Sequence, residues 1–285
     1  MKMRNIFRNI LLLSGLSVFF VSCGEYSQLL KSTDAALVYE SALKYYQQKK
    51  NEKAIALFGM VEYHYTGTAK EDTIKFYTAS SHFRRGDYFT SNELLQDFRR
   101  RFNRSPFIEE AEYLIALGYY YQSPDPELDQ TPTQMARIAF LEYLARYPNS
   151  VKRDDILDYA AELQQKLYDK SYLNAKLYYD IGNYKSAIHT FKLALSEYPE
   201  TTHREDILYL LTKASFILAD NSVETLQHGR YLDMVDAYYN LISEYPETKH
   251  LEEVKTMYDK VQGIIQERNH EETNTTPQEN NTTEE

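Results

Sequence analysis

A chain of 285 residues with 43% hydrophobic content can bury a sizeable core, so composition and charge set the tighter limits. The formal net charge is −10, and removing residues 1–22, which hold Lys2, Arg4 and Arg8 and no acid, takes it to −13. So acidic a body excludes a nucleic-acid binder, whose phosphate contacts need a basic stripe, and the single cysteine, Cys23, excludes an internal disulfide and a cysteine-built zinc site.

The first element is a targeting segment. Met1 to Arg8 carries three positive charges, and Ile10 to Val21 is an apolar run broken only by Ser14, Gly15 and Ser17. That run is about 12 residues long, against roughly 20 for a membrane-spanning helix. It ends in Val21-Ser22-Cys23-Gly24, which resembles a bacterial lipoprotein box. The resemblance implies removal of residues 1–22 and a lipid on the Cys23 sulfur; an ordinary secretory signal or an N-terminal anchor helix is the other reading. Several acyl chains, each contributing about 0.8 kcal/mol per buried methylene, would hold the protein on a membrane surface. Residues 23–34 then read as a lipid-anchored linker.

From residue 35 the chain repeats. Tyr147-Pro148-Asn149-Ser150, Tyr198-Pro199-Glu200-Thr201 and Tyr245-Pro246-Glu247-Thr248 close three units, and Tyr65-Thr66-Gly67-Thr68 and Phe102-Asn103-Arg104-Ser105 are degenerate copies. Periods of this size mark stacked helix pairs, and the slots are those of a tetratricopeptide repeat. Small residues recur in the first helix (Ala42, Ala79, Ala116, Ala175, Ala214), followed three later by a core ring or aliphatic (Tyr45, His82, Tyr119, Tyr178, Ile217). The second helix repeats small (Ala54, Ser91, Ala136, Ala187, Met234) and then large four later (Phe58, Leu95, Phe140, Phe191, Tyr238). Gly86 and Gly182 supply left-handed turns between helices. The expected fold is all-α: a tetratricopeptide solenoid of five hairpins, with residues 252–268 as a C-terminal capping helix.

Each restart follows one rule. Ser or Thr at 68, 105, 150, 201 and 248 is placed to cap a helix, and an acidic pair follows: Glu71-Asp72, Glu109-Glu110, Asp154-Asp155, Glu205-Asp206 and Glu252-Glu253. One such pair could be offered as a general acid and base, but recurrence at a first turn points to the helix dipole, which negative charge there complements. Residues 123–133 and 221–230 read as insertions between the helices of units three and five.

The first helices also carry a ring series. Slots seven apart read Tyr39, Phe76, Tyr113 and Tyr172, then Tyr46, Phe83, Tyr120 and Tyr179; unit five breaks it with Leu211 and Leu218. One reading packs these rings between neighbouring helices. The other lines a groove for an extended peptide with Tyr39, Tyr46, Phe76, Phe83, Tyr113 and Tyr120. Repeats 1–3 (35–147) would then hold the substrate groove, and repeats 4–5 with the cap (148–268) a docking surface.

Residues 269–285 hold five acids, no Lys or Arg and no large apolar residue, a composition expected to stay disordered. No phosphate-binding glycine loop, His-Glu-x-x-His, Gly-x-Ser-x-Gly or Cys-x-x-Cys occurs, and the seven histidines fall at no metal-ligand spacing; His82 reads as an interior histidine. These residues favour neither an enzyme nor a metal or cofactor beyond the lipid on Cys23.

The lipoprotein box, the entry Leu29-Leu30-Lys31-Ser32-Thr33-Asp34, Asp129-Gln130-Thr131 and Tyr178-Tyr179-x-x-Gly182-x-Tyr184 together resemble the BamD family. Its members are lipoprotein subunits of the machinery that inserts β-barrels into bacterial outer membranes. The resemblance implies a lipid-anchored location on the periplasmic face of the outer membrane. It implies two partners: unfolded barrel precursors at the amino-terminal repeats, and the periplasmic domains of the barrel subunit BamA at the carboxy-terminal ones. Unit four's second helix, with Tyr184, Lys185, Thr190 and Lys192, would do the docking. Some relatives carry an arginine where Thr190 stands, able to pair with an acid on BamA; threonine cannot form that pair, and Lys185 and Lys192 are the nearby substitutes. A repeat lipoprotein coordinating other envelope processes, and a glycan-binding lipoprotein, are the alternative functions; the latter fits poorly without tryptophan.

Overall fold

The computed structural model describes residues 24–275, which are helical with no strand. The targeting segment, Cys23 and residues 276–285 lie outside the described residues. A short α1 (residues 24–29) leads into five hairpins: α2 (Ala35–Gln47) with α3 (Asn51–Val61), α4 (Glu71–Arg84) with α5 (Tyr88–Arg101), α6 (Ile108–Gln122) with α7 (Thr131–Arg146), α8 (Arg153–Asp180) with α9 (Tyr184–Glu197), and α10 (Arg204–Asp220) with α11 (Glu224–Glu244). A closing helix, α12 (Leu251–Thr275), follows. It runs past residue 268 into the stretch expected to be unstructured.

The slots read from the sequence form the core. Ala42, Ala79, Ala116, Ala175 and Ala214 are fully buried, and so are Ala54, Ser91, Ala136, Ala187 and Met234. Phe58, Leu95, Phe140 and Phe191 pack beside them, also buried. An enlarged side chain at any of these positions would overpack a helix crossing, at a cost of about 1–3 kcal/mol. The ring slot three after the first alanine behaves differently. Tyr45 is buried, but His82, Tyr119 and Ile217 are only half covered and Tyr178 is exposed. This slot sits in the last turn of its helix, where covering by a neighbour runs out. His82 there bonds Asp87 at 2.8 Å, which holds the Asp87 carboxyl below its ordinary range.

Two compact units result. One comprises α1 to α7 with α8 as far as Leu163; the other comprises Asp125–Asp129 and the chain from Gln164 onward. The division therefore falls inside α8, where a boundary at residues 147–148 was expected. The cause is the length of α8, 28 residues in one helix. Its first half gives Ile156 and Leu163 to a cluster with Ala116 and Phe140, and its second half gives Ala175 to a cluster with Ala187 and Phe191. The insertion expected over 221–230 is also mostly helix, since α11 begins at Glu224. Residues 123–130 do form a connection, closed by Ser123 Oγ against Thr133 Oγ1 at 2.7 Å.

Three of the five hairpin turns share one backbone solution. Gly86 and Gly182 take φ of 81° and 78°, and in each turn the two residues after the helix donate their N–H groups back to its last carbonyls. The first hairpin does the same with Lys49, at φ 58°.

The recurring Ser and Thr do not cap the α-helices. The hydroxyls of Thr68, Ser105, Ser150, Thr201 and Thr248 accept from the N–H two residues on, forming a turn that ends where the helix begins. They also donate to an acid of the preceding unit: Ser105 to Asp72 at 2.8 Å, Ser150 to Glu109 at 3.1 Å and Thr248 to Glu205 at 2.6 Å. The recurring acids thus complement a helix dipole and also latch the next repeat in place.

Candidate functional site

Each ring of the earlier slot lies under a lid from the next repeat. The Lys70 ammonium sits 4.3 Å over Tyr39, Phe107 stacks on Phe76 at 4.6 Å, and Lys152 sits 4.1 Å over Tyr113. In the second unit His203 stacks on Tyr172 at 4.3 Å and His250 on Tyr209 at 3.6 Å. Every lid is the residue whose N–H binds the turn hydroxyl, two positions after it, so Ser/Thr-x-lid is a motif the sequence reading missed. Tyr209 also corrects the register of unit five, where the series does not break. Alignment on Ala214 slipped it by two: Thr212, equally buried, stands as far from Arg204 as Ala79 from Glu71. Phe216, under the Lys260 ammonium at 5.0 Å, continues the later slot.

The six predicted groove rings therefore divide. Tyr39, Tyr46 and Phe76 are buried, Phe76 only 4% exposed. Tyr46 is held by Ser80, its hydroxyl 3.0 Å from Ser80 Oγ, and by the Arg84 guanidinium 3.9 Å over its ring. Burial is the main cause that raises the phenol pKa of Tyr39, Tyr46 and Tyr113. Phe83, Tyr113 and Tyr120 keep part of their surface. Around Phe83 and Tyr120 the first unit presents a continuous aromatic ladder. Phe83 meets Tyr88 at 5.2 Å, Tyr88 stacks on Tyr121 at 4.9 Å, Tyr121 meets Tyr120 at 5.4 Å, and Tyr120 meets Tyr159 at 4.6 Å. Tyr121 is 50% exposed. The Tyr120 hydroxyl donates to Glu162, and this bond, with burial, pushes its pKa up to about 12, so the ring stays neutral and oriented. Tyr88, Tyr121 and Tyr159 escaped the sequence reading because they lie off the repeat slots.

In the second unit two of the four predicted docking residues, Lys185 and Lys192, line one groove. Lys185, Ile188 and Lys192 of α9, Ser215 and Leu218 of α10, and Arg230 and Asp233 of α11 enclose about 220 Å³. Three cations and one acid stand over a partly apolar floor of Ile188 and Leu218. Arg230 comes from the helical extension of α11 and bonds Ser222 Oγ. Thr190 faces a neighbouring hollow with Lys185, Tyr178 and His189, its hydroxyl turned inward to Ser186 O at 2.9 Å. Tyr184 packs edge-on against Tyr179 at 5.5 Å. This geometry accepts an acidic side chain on an apolar footing.

No group of three or more metal-ligating side chains occurs among the described residues, and no described helix is long and apolar enough to cross a membrane.

Stacked hairpins with latched turns define a tetratricopeptide-repeat protein. A family profile described as "YfiO: Outer membrane lipoprotein" matches residues 31–225. The chain therefore belongs to the YfiO/BamD family of outer membrane lipoproteins. Two relatives are outer membrane protein assembly factors BamD. That of Rickettsia prowazekii (strain Madrid E) is 26% identical over 190 residues, 64% of this chain and 73% of its own length. That of Caulobacter vibrioides is 27% identical over 128 residues, 45% and 42% of the two chains. Among solved structures, the TPR2AB-domain:pHSP90 complex of yeast Sti1 is similar over 80% of this chain and 98% of its own, at 14% identity and a TM-score of 0.36. The fold assignment rests on the helices themselves.

Proposed function

We propose that this chain is a non-catalytic scaffold and receptor in outer membrane protein assembly, carried on the periplasmic face of the outer membrane by a lipid on Cys23. Its family and its BamD relatives support the assembly role. The second unit docks the periplasmic domains of the barrel subunit BamA, and the first unit receives unfolded barrel precursors. The observation that carries this reading is the α9–α11 groove. Lys185 and Lys192 line it on a chain whose charge is otherwise strongly negative, and among the described residues neither is held in an ion pair. An acidic, apolar-footed surface on a partner complements it. For precursors the partly exposed aromatic ladder supplies ring faces, with Tyr121 the most open, while Tyr39, Tyr46 and Phe76 are buried and take no part.

The test is co-purification from gently solubilised membranes. Lys185→Glu with Lys192→Glu should strip a large barrel protein with periplasmic domains from the tagged chain while helicity is unchanged. Undiminished recovery of that protein would reject the docking placement.

A further inference from the structure

The first hairpin breaks a rule that the second and fourth obey. At the turn those hairpins place glycine at the left-handed residue and then an acid or amide whose side chain caps the next helix: Gly86-Asp87, with Asp87 accepting from Thr90 N, and Gly182-Asn183, with Asn183 accepting from Ser186 N. The first hairpin has Lys49-Lys50 in those two places. Lys49 adopts φ 58°, a region that favours glycine, and Lys50 makes no side-chain cap. Two local preferences are therefore broken side by side by two exposed lysines. Lys50 has a contact within the fold, its ammonium 5.5 Å over the Tyr45 ring, but the backbone strain kept at Lys49 points to a role outside it.

The location of this turn supplies the role. Residues 24–34, expected to be a linker, are instead docked on the first hairpin. Leu29 is buried in its core, Tyr26 meets Tyr45 edge-on at 5.8 Å, and the Lys53 ammonium lies 4.7 Å over Tyr26 and 5.4 Å over Tyr45. Glu25 pairs with Lys44 at 3.6 Å, and Asp34 caps α2 by accepting from Ala36 N and Leu37 N. Gly24, the residue that follows Cys23 in the sequence, therefore begins a helix docked beside the α2–α3 turn. Lys44, Lys49, Lys50 and Lys53 gather there, with Glu25 and Glu52 as the neighbouring acids on α1 and α3, leaving a local positive excess.

We propose that this turn is a membrane-facing surface whose lysines bind the phosphates of anionic lipid headgroups in the leaflet that holds the lipid on Cys23. This rests on the lipidation reading. The docked α1 leaves no slack between anchor and body, so the turn lies at the headgroup level. The remaining acidic surface is repelled by the same leaflet, and the patch sets which face of the first unit looks down.

The experiment uses the chain from Cys23 to Glu285, coupled through its sole thiol to a maleimide lipid in vesicles, so that the anchor does not depend on cellular lipidation. Lysine acylation is followed by mass spectrometry. On vesicles containing phosphatidylglycerol, Lys49 and Lys50 should react about fivefold or more slowly than on pure phosphatidylcholine, a change that 1 M salt reverses, while Lys185 and Lys192 react equally on both. Equal reactivity of Lys49 and Lys50 on the two surfaces would overturn the proposal. A second variant, Lys49→Gly with Lys50→Asp, restores the rule of the other turns and should melt at a higher temperature; an unchanged or lower melting point would remove the argument that these lysines are kept against the fold. Incorporation of labelled palmitate by the full precursor, lost in Cys23→Ala, reads the lipidation reading separately.

Discussion

Gly118 is the position where the packing of the first unit can be tested most sharply. It lies inside α6, and a Cβ built there falls 2.1 Å from Asn92 Oδ1 and 2.8 Å from Asn92 Cγ on α5. Asn92 is 3% exposed, so any shift of its side chain must displace the buried groups packed around it. Alanine in a helix interior is ordinarily better than glycine by about 1 kcal/mol. Here an ordinary contact of about 3.4 Å requires Asn92 to move by more than 1 Å, which puts the overpacking cost near the upper end of about 1–3 kcal/mol. Gly118→Ala should therefore destabilise the first unit by about 2 kcal/mol, read from urea unfolding followed by circular dichroism. Gly59→Ala and Gly263→Ala are the controls. No atom lies within 4 Å of either Cβ, and both should stabilise, by about 0.5–1 kcal/mol. Adding Asn92→Ala removes the obstruction, and in that background Gly118→Ala should turn from harmful to favourable, a coupling of about 3 kcal/mol. A Gly118→Ala protein as stable as the parent would refute the close approach of α5 and α6 described above.

Three further outcomes follow from the geometry. Tyr88→Ala with Tyr121→Ala should reduce binding of a denatured barrel precursor with helicity intact, whereas Phe76→Ala should cost about 3–5 kcal/mol of stability because its ring is buried between repeats; equal losses of fold in both would mean the ladder is core. His250→Phe should be tolerated, since Phe107 already serves as a lid, whereas His203→Phe gives up the 2.7 Å bond to Asp169 and should cost about 1 kcal/mol; either histidine replaced by alanine should lose about 1 kcal/mol or more on unfolding. The carboxyls of Glu244 and Glu253 are held below their ordinary range by hydrogen bonds from Arg204 and Lys213 respectively. A lowered folded pKa means that their contribution is present above about pH 4.5 and is lost as pH falls through the folded values. Both are partly exposed, so the loss is a few tenths of a kcal/mol each, and Glu244→Gln should shift the urea midpoint at pH 7 but not at pH 3.

The sequence showed clearly whatever helix packing enforces residue by residue. Alanine at a crossing and phenylalanine four positions from a small residue have few substitutes, so Ala79, Ala136 and Phe140 could be placed from pattern alone. The fate of the rings was not legible, because Tyr39 and Tyr121 look alike as letters. What separates them is whether a lid such as Lys70 lies over the ring, and that depends on a turn two residues long. The continuous α8 hid for a similar reason: Ile156 and Leu163 lie on one stripe and Ala175 about 100° round the helix from it, yet nothing local says that the helix serves two cores. In unit five Ala214 and Thr212 are both small enough for the crossing, and only the stacking of His250 on Tyr209 fixes which one keeps the register. Of the α9–α11 groove lining, Lys185 and Lys192 were picked out from their helix, whereas Arg230 was lost in a stretch read as an insertion.

The division of labour between the two units is tested most directly by photo-crosslinking in living cells, with a photoreactive amino acid placed at Lys192 in one strain and at Tyr121 in another. The account predicts that position 192 captures a barrel protein bearing periplasmic domains, and that position 121 captures barrel precursors only while synthesis continues. Capture of precursors at 192 and of the barrel subunit at 121, or capture of neither at both positions, would contradict it.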